Sequence, residues 1–227
     1  MSEAPQSVRA LILFGPPGSG KGTQANLIKE CLRIAHISTG DMLRERMQCG
    51  DDLGQVIKRL VDNGELVTDE LVNRMVEERI GQPDCAAGFI LDGYPRTLSQ
   101  AGTICKRLAA RGLGWVVVHL KVDYNIIISR LAGRRHCAKC GAVFNLATHP
   151  PKIADRCDAC ASVLAVRDDD REHVVRRRLD AYDAQTRPLL EFFSAEGNTF
   201  YEVDGAAEAP AKIALKICEL VRNRNGE

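Results

Sequence analysis

The sequence predicts an α/β protein, a parallel sheet with helices on both faces, and three observations predict it. Five short, nearly continuous apolar runs alternate with stretches of helical periodicity, the signature of strands buried on both faces. The first run, Ala10 to Phe14, passes into Gly15-Pro16-Pro17-Gly18-Ser19-Gly20-Lys21-Gly22-Thr23 and then into a helix-compatible stretch. Finally, Gly15, Thr39, Asp92-Gly93 and Asp123 all lie just past strand ends, the edge where such sheets bind ligands.

The elements follow in order. After the strand at Ala10–Phe14, a helix is expected over Gln24–Cys31 and a strand over Ile34–Ser38, with Asp41 or Thr39 as the cap of a helix over Met42–Met47. Leu53, Val56, Ile57, Leu60 and Val61 recur at helical spacing, and Asn63-Gly64 closes that helix. Thr68-Asp69-Glu70 opens another, with Leu71, Met75, Val76 and Ile80 as its apolar face. Gly88–Asp92 is a strand ending in the turn Gly93-Tyr94-Pro95-Arg96, followed by a helix over Ser99–Arg111. The β-branched run Trp115–Lys121 is a strand, Asp123–Leu131 a helix, Thr199–Val203 a last strand and Ala209–Arg222 a last helix. Gly133–Asp170 breaks the alternation and reads as an inserted subdomain before a helix over Asp170–Thr186.

A strand, a glycine-rich turn and a helix N-terminus make a cradle of backbone N–H groups for phosphate oxygens, with Lys21 as a point charge. The general motif has Ser or Thr directly after the lysine; here Gly22 stands there and Thr23 follows. The alternative, a turn that merely joins strand to helix, leaves the lysine and the spacing without a purpose.

Composition narrows the class. The 227 residues are 45% hydrophobic, enough for one main domain plus an insertion. Lys+Arg 31 against Asp+Glu 30 leaves a formal charge of +1, so no global basic field points to nucleic acid. Met1–Ser7 lacks a signal pattern, and no apolar run approaches a membrane span, so a soluble, cytoplasmic protein is expected. Of nine cysteines, Cys31, Cys49, Cys85, Cys105 and Cys218 are scattered singly, which argues for a reducing compartment. The other four form two C-x-x-C pairs, Cys137/Cys140 and Cys157/Cys160, sixteen residues apart. Four thiolates so arranged suit a structural zinc, and spacing alone leaves iron open. With four cysteines present, His136 reads as a surface or nucleotide-side residue.

Arg44, Arg96, Arg130, Arg134, Arg167 and Arg178 sit near strand ends, at the insertion boundaries or on the helix beyond it. Gathered round a phosphate loop, guanidinium groups match the charge of a phosphoryl group in transfer. Arg176, Arg177 and Arg178 are ~100° apart on a helix, so they cannot all face one site. Asp92 ends a buried strand where an acid can meet magnesium or its waters; the alternative is a cap for the following turn. No general base stands out, which fits an acceptor that is already an anion.

These residues together make the chain resemble the adenylate kinase family over essentially its full length, from Leu11 to the C-terminal helix. The matching stretches are Gly15–Thr23, Ile37–Arg44, Leu66–Leu71, Leu91–Thr97 with Gln100, Gly133-Arg134-Arg135 and Arg167-Asp168-Asp169-Asp170. That family's loop reads Gly-Lys-Gly-Thr, which accounts for Gly22.

The resemblance implies a P-loop NTPase fold with a five-stranded parallel sheet, and reversible phosphoryl transfer from MgATP to AMP giving two ADP. It implies a core (1–37, 68–132, 171–227), a helical AMP-binding flap (38–67) and a zinc-bearing lid (133–170). By the family pattern, Gly18, Ser19, Gly20, Lys21, Gly22 and Thr23 hold ATP phosphates; Arg130 and Arg134 contact ATP; and Val143, Phe144 and Ala207 lie at its adenine. Thr39, Arg44, Glu65, Leu66, Val67, Gly93, Tyr94, Pro95, Arg96 and Gln100 hold AMP, and Arg167 and Arg178 close on the phosphates. Lys21, Arg96, Arg134, Arg167 and Arg178 carry the catalysis, Thr23 and Asp92 attend the magnesium, and Cys137, Cys140, Cys157 and Cys160 hold zinc. ATP, AMP and ADP are the implied partners, with no nucleic acid or membrane, and a monomer is expected. Competing readings are a UMP/CMP-type kinase, against which Thr97 and Gln100 speak, and a non-catalytic P-loop or zinc interaction module.

Overall fold

A computed structural model describes residues 8–195 and 199–225; the N-terminal stretch Met1–Ser7 lies outside the described residues. The central sheet is built from β1 (Val8–Phe14), β2 (Ala35–Ser38), β3 (Phe89–Asp92), β4 (Gly114–Lys121) and a C-terminal strand, Phe200–Asp204. These five strands run parallel in the order β2-β3-β1-β4-(Phe200–Asp204). Helices α1 (Lys21–Leu32), α2 (Thr39–Gln48), α3 (Asp52–Asp62), α4 (Asp69–Ile80), α5 (Leu98–Ala110) and α6 (Tyr124–Gly133) fall between the strands or just beyond them.

Leu11, Leu13, Ile90, Val116 and Val118 pack with α1 and the last helix, while Ile12, Leu91 and Val117 pack with α4 and α5 on the opposite face. This two-sided burial is why the strands are apolar throughout rather than alternating.

The insertion carries its own antiparallel sheet of β5 (Arg134–Cys137), β6 (Val143–Asn145) and β7 (Leu164–Ala165), ordered β6-β5-β7. Its core is no more than Cys137, Phe144, Cys157 and Leu164, with Ala142 and Cys160 beside them. Beyond it come a 3₁₀ turn (Asp168–Asp170), α7 (Glu172–Ala181), a π turn (Tyr182–Thr186), α8 (Leu189–Ala195), β8 (Phe200–Asp204) and α9 (Pro210–Asn225).

Several local expectations are corrected. The first helix begins at Lys21, three residues before Gln24, because the phosphate loop runs into it through Gly20 in a left-handed conformation. The cap of α2 is Ser38 rather than Asp41 or Thr39: its hydroxyl accepts the Asp41 N–H at 3.2 Å, so strand passes to helix with no loop. On α4 it is Val72, with Val76 and Ile80, that is buried, and Leu71 and Met75 pack only partly. On α3, Val56 faces solvent. The single helix expected over Asp170–Thr186 is a 3₁₀ turn, an α-helix and a π turn in succession. Apolar spacing does not report a change of helix type, and the strands of the insertion are too short to leave a period. The short helix α8 likewise left no readable signal.

Candidate active site

Ser19 is buried, and Gly15, Gly18 and Gly20 take positive φ in the loop between β1 and α1. Gly18, at φ +82, leaves no room for a side chain: a Cβ there would lie 2.9 Å from Leu131 of α6. A Cβ on Gly22 would stand 3.4 Å from an Asp92 carboxylate oxygen, an ordinary contact that puts the acid at the end of β3 beside the first turn of α1.

Lys21 is half-buried and folds back on the loop, donating to the carbonyls of Gly15 (2.8 Å) and Pro16 (2.9 Å) and towards Ser19 Oγ (3.4 Å). Burial drives its ammonium down to about 7; Asp92 opposes this, while Arg96, Arg178 and Arg134 add to it. A phosphate beside it reverses the balance and raises its pKa. Nucleotide binding above pH 7 should therefore take up a proton at Lys21. Calorimetric titration with ATP at pH 8, in two buffers of different ionisation enthalpy, should show uptake of up to about one proton per site. Equal heats in both buffers would show that Lys21 does not change charge.

Cations converge on the loop. Arg96 (β3–α5 turn), Arg134 (β5) and Arg178 (α7) surround Lys21, Arg167 (before the 3₁₀ turn) faces Arg134, and Arg44 of α2 faces Arg167 and Arg178. Burial first, then mutual repulsion, pushes Arg96 and Arg167 down to about 10 and lowers Arg178. Asp170, its side chain wholly buried, takes Arg134 through both carboxylate oxygens, with Arg134 Nε at 2.7 Å. Arg178 donates to the Asp169 carbonyl (2.7 Å) and pairs with the Asp169 carboxylate at 2.9 Å. Burial pushes Asp169 up, but Arg178, Arg134, Arg44 and Arg167 outweigh it and hold its carboxyl below the ordinary range. The Arg167 Nε is buried without a hydrogen-bond partner among the described residues. A buried guanidinium N–H left unpaired, amid mutually repelling cations, is a site built for an anion.

Asp92 is buried; one carboxylate oxygen meets His36 Nε2 at 3.2 Å, and His36 Nδ1 lies 3.3 Å from Asn26. The oxygen that meets His36, Oδ2, is also the one that stands beside Gly22 in the first turn of α1, where the neighbouring Thr23 is exposed. A carboxylate and a hydroxyl at that turn are oxygen ligands that fit a hydrated magnesium ion.

A cleft of about 580 Å³ is lined by Leu66, Val67, Asp69 and Thr97 together with Arg177 and Asp180 of α7; Thr39, Arg44, Gly93, Tyr94, Pro95, Arg96 and Gln100 are not in its lining. Glu65 lines it too. Thr39 Oγ1 donates to Gly93 O at 2.9 Å, Tyr94 is buried with its hydroxyl on Asn73, and the Tyr94–Pro95 peptide is cis. Gln100 is buried behind the cleft, its amide held by Arg96 N–H and Asp69.

Arg130 bridges two backbone segments, donating to Ser19 O (3.2 Å) and Gly205 O (2.9 Å), and so ties the phosphate loop to the loop carrying exposed Ala207. Phe144 lies in the core of the insertion, stacked on His149 with ring centroids 5.8 Å apart, while Val143 is exposed beside it. The Phe144 ring is thus committed to the insertion.

Four sulfurs gather in the insertion: Cys137, Cys140, Cys157 and Cys160 lie within 4.8 Å of one another. The gaps Cys137–Cys160 and Cys140–Cys157 are 3.4 Å and Cys140–Cys160 is 3.6 Å. A tetrahedron with Zn–S bonds of about 2.3 Å has edges of about 3.8 Å, so the sulfurs fit such an ion. The two knuckles are built alike, Gly141 N–H donating to Cys137 O and Ala161 N–H to Cys157 O. His136 stands apart, its Nδ1 2.9 Å from Ala165 O in the β5–β7 pairing.

The sequence model of the adenylate kinase family matches residues 13–198. The chain belongs to the adenylate kinase family. It is 43% identical to the adenylate kinase of Geobacter sulfurreducens over 217 residues, covering 95% of this chain and 99% of that one. The adenylate kinase of Carboxydothermus hydrogenoformans is 48% identical over 188 residues, 82% of this chain and 88% of the relative. That of Thermosipho melanesiensis is 43% identical over 204 residues, 89% and 95%. Membership makes the chain a nucleoside monophosphate phosphotransferase with the P-loop fold of its family, and sets aside the non-catalytic module.

Four contributors were given no role in the site by the sequence. His36 steadies Asp92, Asp69 holds Gln100 and Thr97, and Asp169 with Asp170 aims Arg178 and Arg134. The first two pairings join residues far apart in the chain, and no local pattern marks them. Among the described residues, no helix is long and apolar enough to cross a membrane.

Proposed function

We propose that the chain transfers the terminal phosphoryl group of MgATP to AMP, reversibly, giving two ADP, between a donor half at the phosphate loop and an acceptor half at the Leu66–Thr97 cleft. The observation that carries this reading is the convergence of Lys21, Arg44, Arg96, Arg134, Arg167 and Arg178 on one space from the loop, both sides of the sheet edge, the insertion and α7. One phosphate chain does not need so many cations. Two nucleotides meeting end to end do.

The loop's N–H groups and Lys21 hold the donor phosphates, with Arg130 keeping the loop in register with the Ala207 segment. Val143, the backbone at Phe144 and Ala207 border the donor base. Magnesium, held through Asp92 and Thr23 or their waters, supplies further neutralisation of phosphate charge. On the acceptor side, Arg44 and Arg96 take the monophosphate, Thr39 and the Gly93-Tyr94-Pro95 turn shape the floor, and Glu65, Leu66, Val67 and Gln100 enclose the nucleoside. Arg134, Arg167 and Arg178 meet the group in transfer, where their charge counts most.

No proton needs to be removed. A phosphate monoester has a second pKa of about 6, so the attacking oxygen is already anionic at neutral pH. Among the nearby carboxylates, Asp169 and Asp170 are tied to arginines and Asp92 to His36. The remaining work is alignment and exclusion of water, a competing acceptor. Segment 38–67 acts as the acceptor flap and 133–170 as a lid over the 1–37, 68–132 and 171–227 core. α3 of the flap rests on the 3₁₀ turn at the lid's edge, and the flap–core link packs on α7, Gly64 facing the Val174 carbonyl. The four cysteines hold a structural zinc that folds the lid.

Steady-state rates with ATP and AMP, CMP, UMP or GMP test the reading. AMP should exceed each alternative by about 100-fold or more in kcat/KM, since a wrong base leaves buried polar groups unpaired. A preference for CMP or UMP would move the chain to the pyrimidine-type kinases, and no turnover with any acceptor would sink the proposal.

A further inference from the structure

The Gln100 amide is pinned from both ends. Its Oε1 accepts the Arg96 N–H at 2.8 Å, and its Nε2 donates to Asp69 Oδ1 at 2.7 Å. A backbone N–H can only donate and a carboxylate can only accept, so reversing the amide would set donor on donor and acceptor on acceptor. Asp69 is itself fixed: its second oxygen accepts from Thr97 Oγ1 at 2.7 Å, and Thr97 Oγ1 caps α5 by accepting the Gln100 N–H at 3.1 Å. Asp69 sits in the first turn of α4, immediately after the 65–68 link, and lines the cleft together with Thr97.

A glutamine amide has two N–H groups and two carbonyl lone pairs. With one of each engaged, Gln100 retains one donor and one acceptor in an order it cannot exchange. A 6-aminopurine edge, a ring nitrogen acceptor beside an amino donor, matches that order. A 6-oxopurine edge, a ring N–H beside a carbonyl, is its inverse.

We propose that Asp69 is a positioning residue that sets the base selectivity of the acceptor site by locking the Gln100 amide in the orientation that accepts an aminopurine and rejects an oxopurine. The proposal rests on the reading of Gln100 as the group that meets the acceptor base. It adds what that reading lacks, a reason for the amide to face one way. It also joins selectivity to the flap, because the same carboxylate stands where the flap link enters α4.

The test compares AMP with IMP, which differ in this hydrogen-bond order, as acceptors at saturating ATP in the full-length protein. Asp69→Leu removes both acceptor oxygens at similar volume, whereas Asp69→Asn keeps one carbonyl to face Gln100. In Asp69→Leu the KM for AMP should rise by about 10-fold or more, and the AMP-over-IMP preference in kcat/KM should shrink by about 10-fold or more. The KM for ATP should stay within about twofold, and Asp69→Asn should recover most of the preference. A folded Asp69→Leu whose AMP-over-IMP preference stays within about twofold of wild type overturns the proposal, even if its melting temperature and both rates fall together, since that is a purely structural role. Should the leucine variant not fold, Asp69→Ala is judged by the same criterion. Wild-type protein that turns over neither nucleotide would instead overturn the acceptor-site reading on which this one stands.

Discussion

Replacing Lys21 with methionine should lower kcat by about three orders of magnitude and leave the melting temperature unchanged or raised. The rate loss follows from position. Lys21 is the cation of the phosphate loop itself, and a preorganised donor aimed at developing charge is worth about 10²–10³ in rate even without a full charge. The effect on stability follows from the same surroundings. Burial and the neighbours Arg96, Arg178 and Arg134 hold the Lys21 ammonium at about 7, against an ordinary value of 10.5. Between those values the unfolded chain binds more protons than the folded one, so the cost of this lysine to folding is full below about pH 7 and fades as pH rises towards 10.5. The methionine variant should therefore gain more in melting temperature at pH 6 than at pH 9. Three hydrogen bonds to the loop are lost in exchange, to Gly15, Pro16 and Ser19, which offsets part or all of that gain. Paired rate and thermal-melt measurements check both halves. A variant that retains a tenth of the wild-type rate would remove Lys21 from the catalytic group.

The parts of the molecule that were legible in the sequence are those whose physics is local. A strand buried on both faces must be apolar along its length, so β1, β3 and β4 can be read from Leu11–Phe14, Phe89–Leu91 and Val116–Leu120. A glycine-rich turn between strand and helix announces the phosphate cradle, and paired C-x-x-C spacing announces the cluster of sulfurs. Illegible were features that depend on which distant residues meet. Nothing near Gly22 in the chain says that Asp92 stands beside it. Nothing near Gln100 names Asp69 as its partner, and nothing in Arg176-Arg177-Arg178 says which one turns inward. The structure answers the last: Arg176 pairs with Glu172 in solvent, Arg177 lines the cleft, and Arg178 reaches Asp169 and the phosphate-loop cations. Phe144 belongs with these: the sequence does not say that its ring packs into the small core of the insertion, stacked on His149.

That small core is the reason to expect a large thermal effect from the metal. The apolar core of the insertion is four buried residues, two of them the metal-ligating candidates Cys137 and Cys157, and the insertion exposes Val143, Leu146, Ile153, Val163 and Val166. Such a segment cannot offset its conformational entropy by apolar burial alone. A closed site of four thiolates can, since structural zinc contributes about 10–16 kcal/mol of apparent binding free energy in small modules at neutral pH. Purified protein should contain close to one zinc per chain by elemental analysis. Removing it, or replacing Cys140 with serine, should lower the melting temperature by about 5 °C or more, at roughly 2–4 °C per kcal/mol for a chain of this size. Turnover at 25 °C should fall by less than about tenfold, because four protein ligands leave the metal no open position for chemistry. Iron in the same cage would declare itself by colour and by the elemental analysis. The decisive comparison is thermal: if metal-free protein melts where the metal-loaded protein does, the lid folds by other means and the four sulfurs are not its staple.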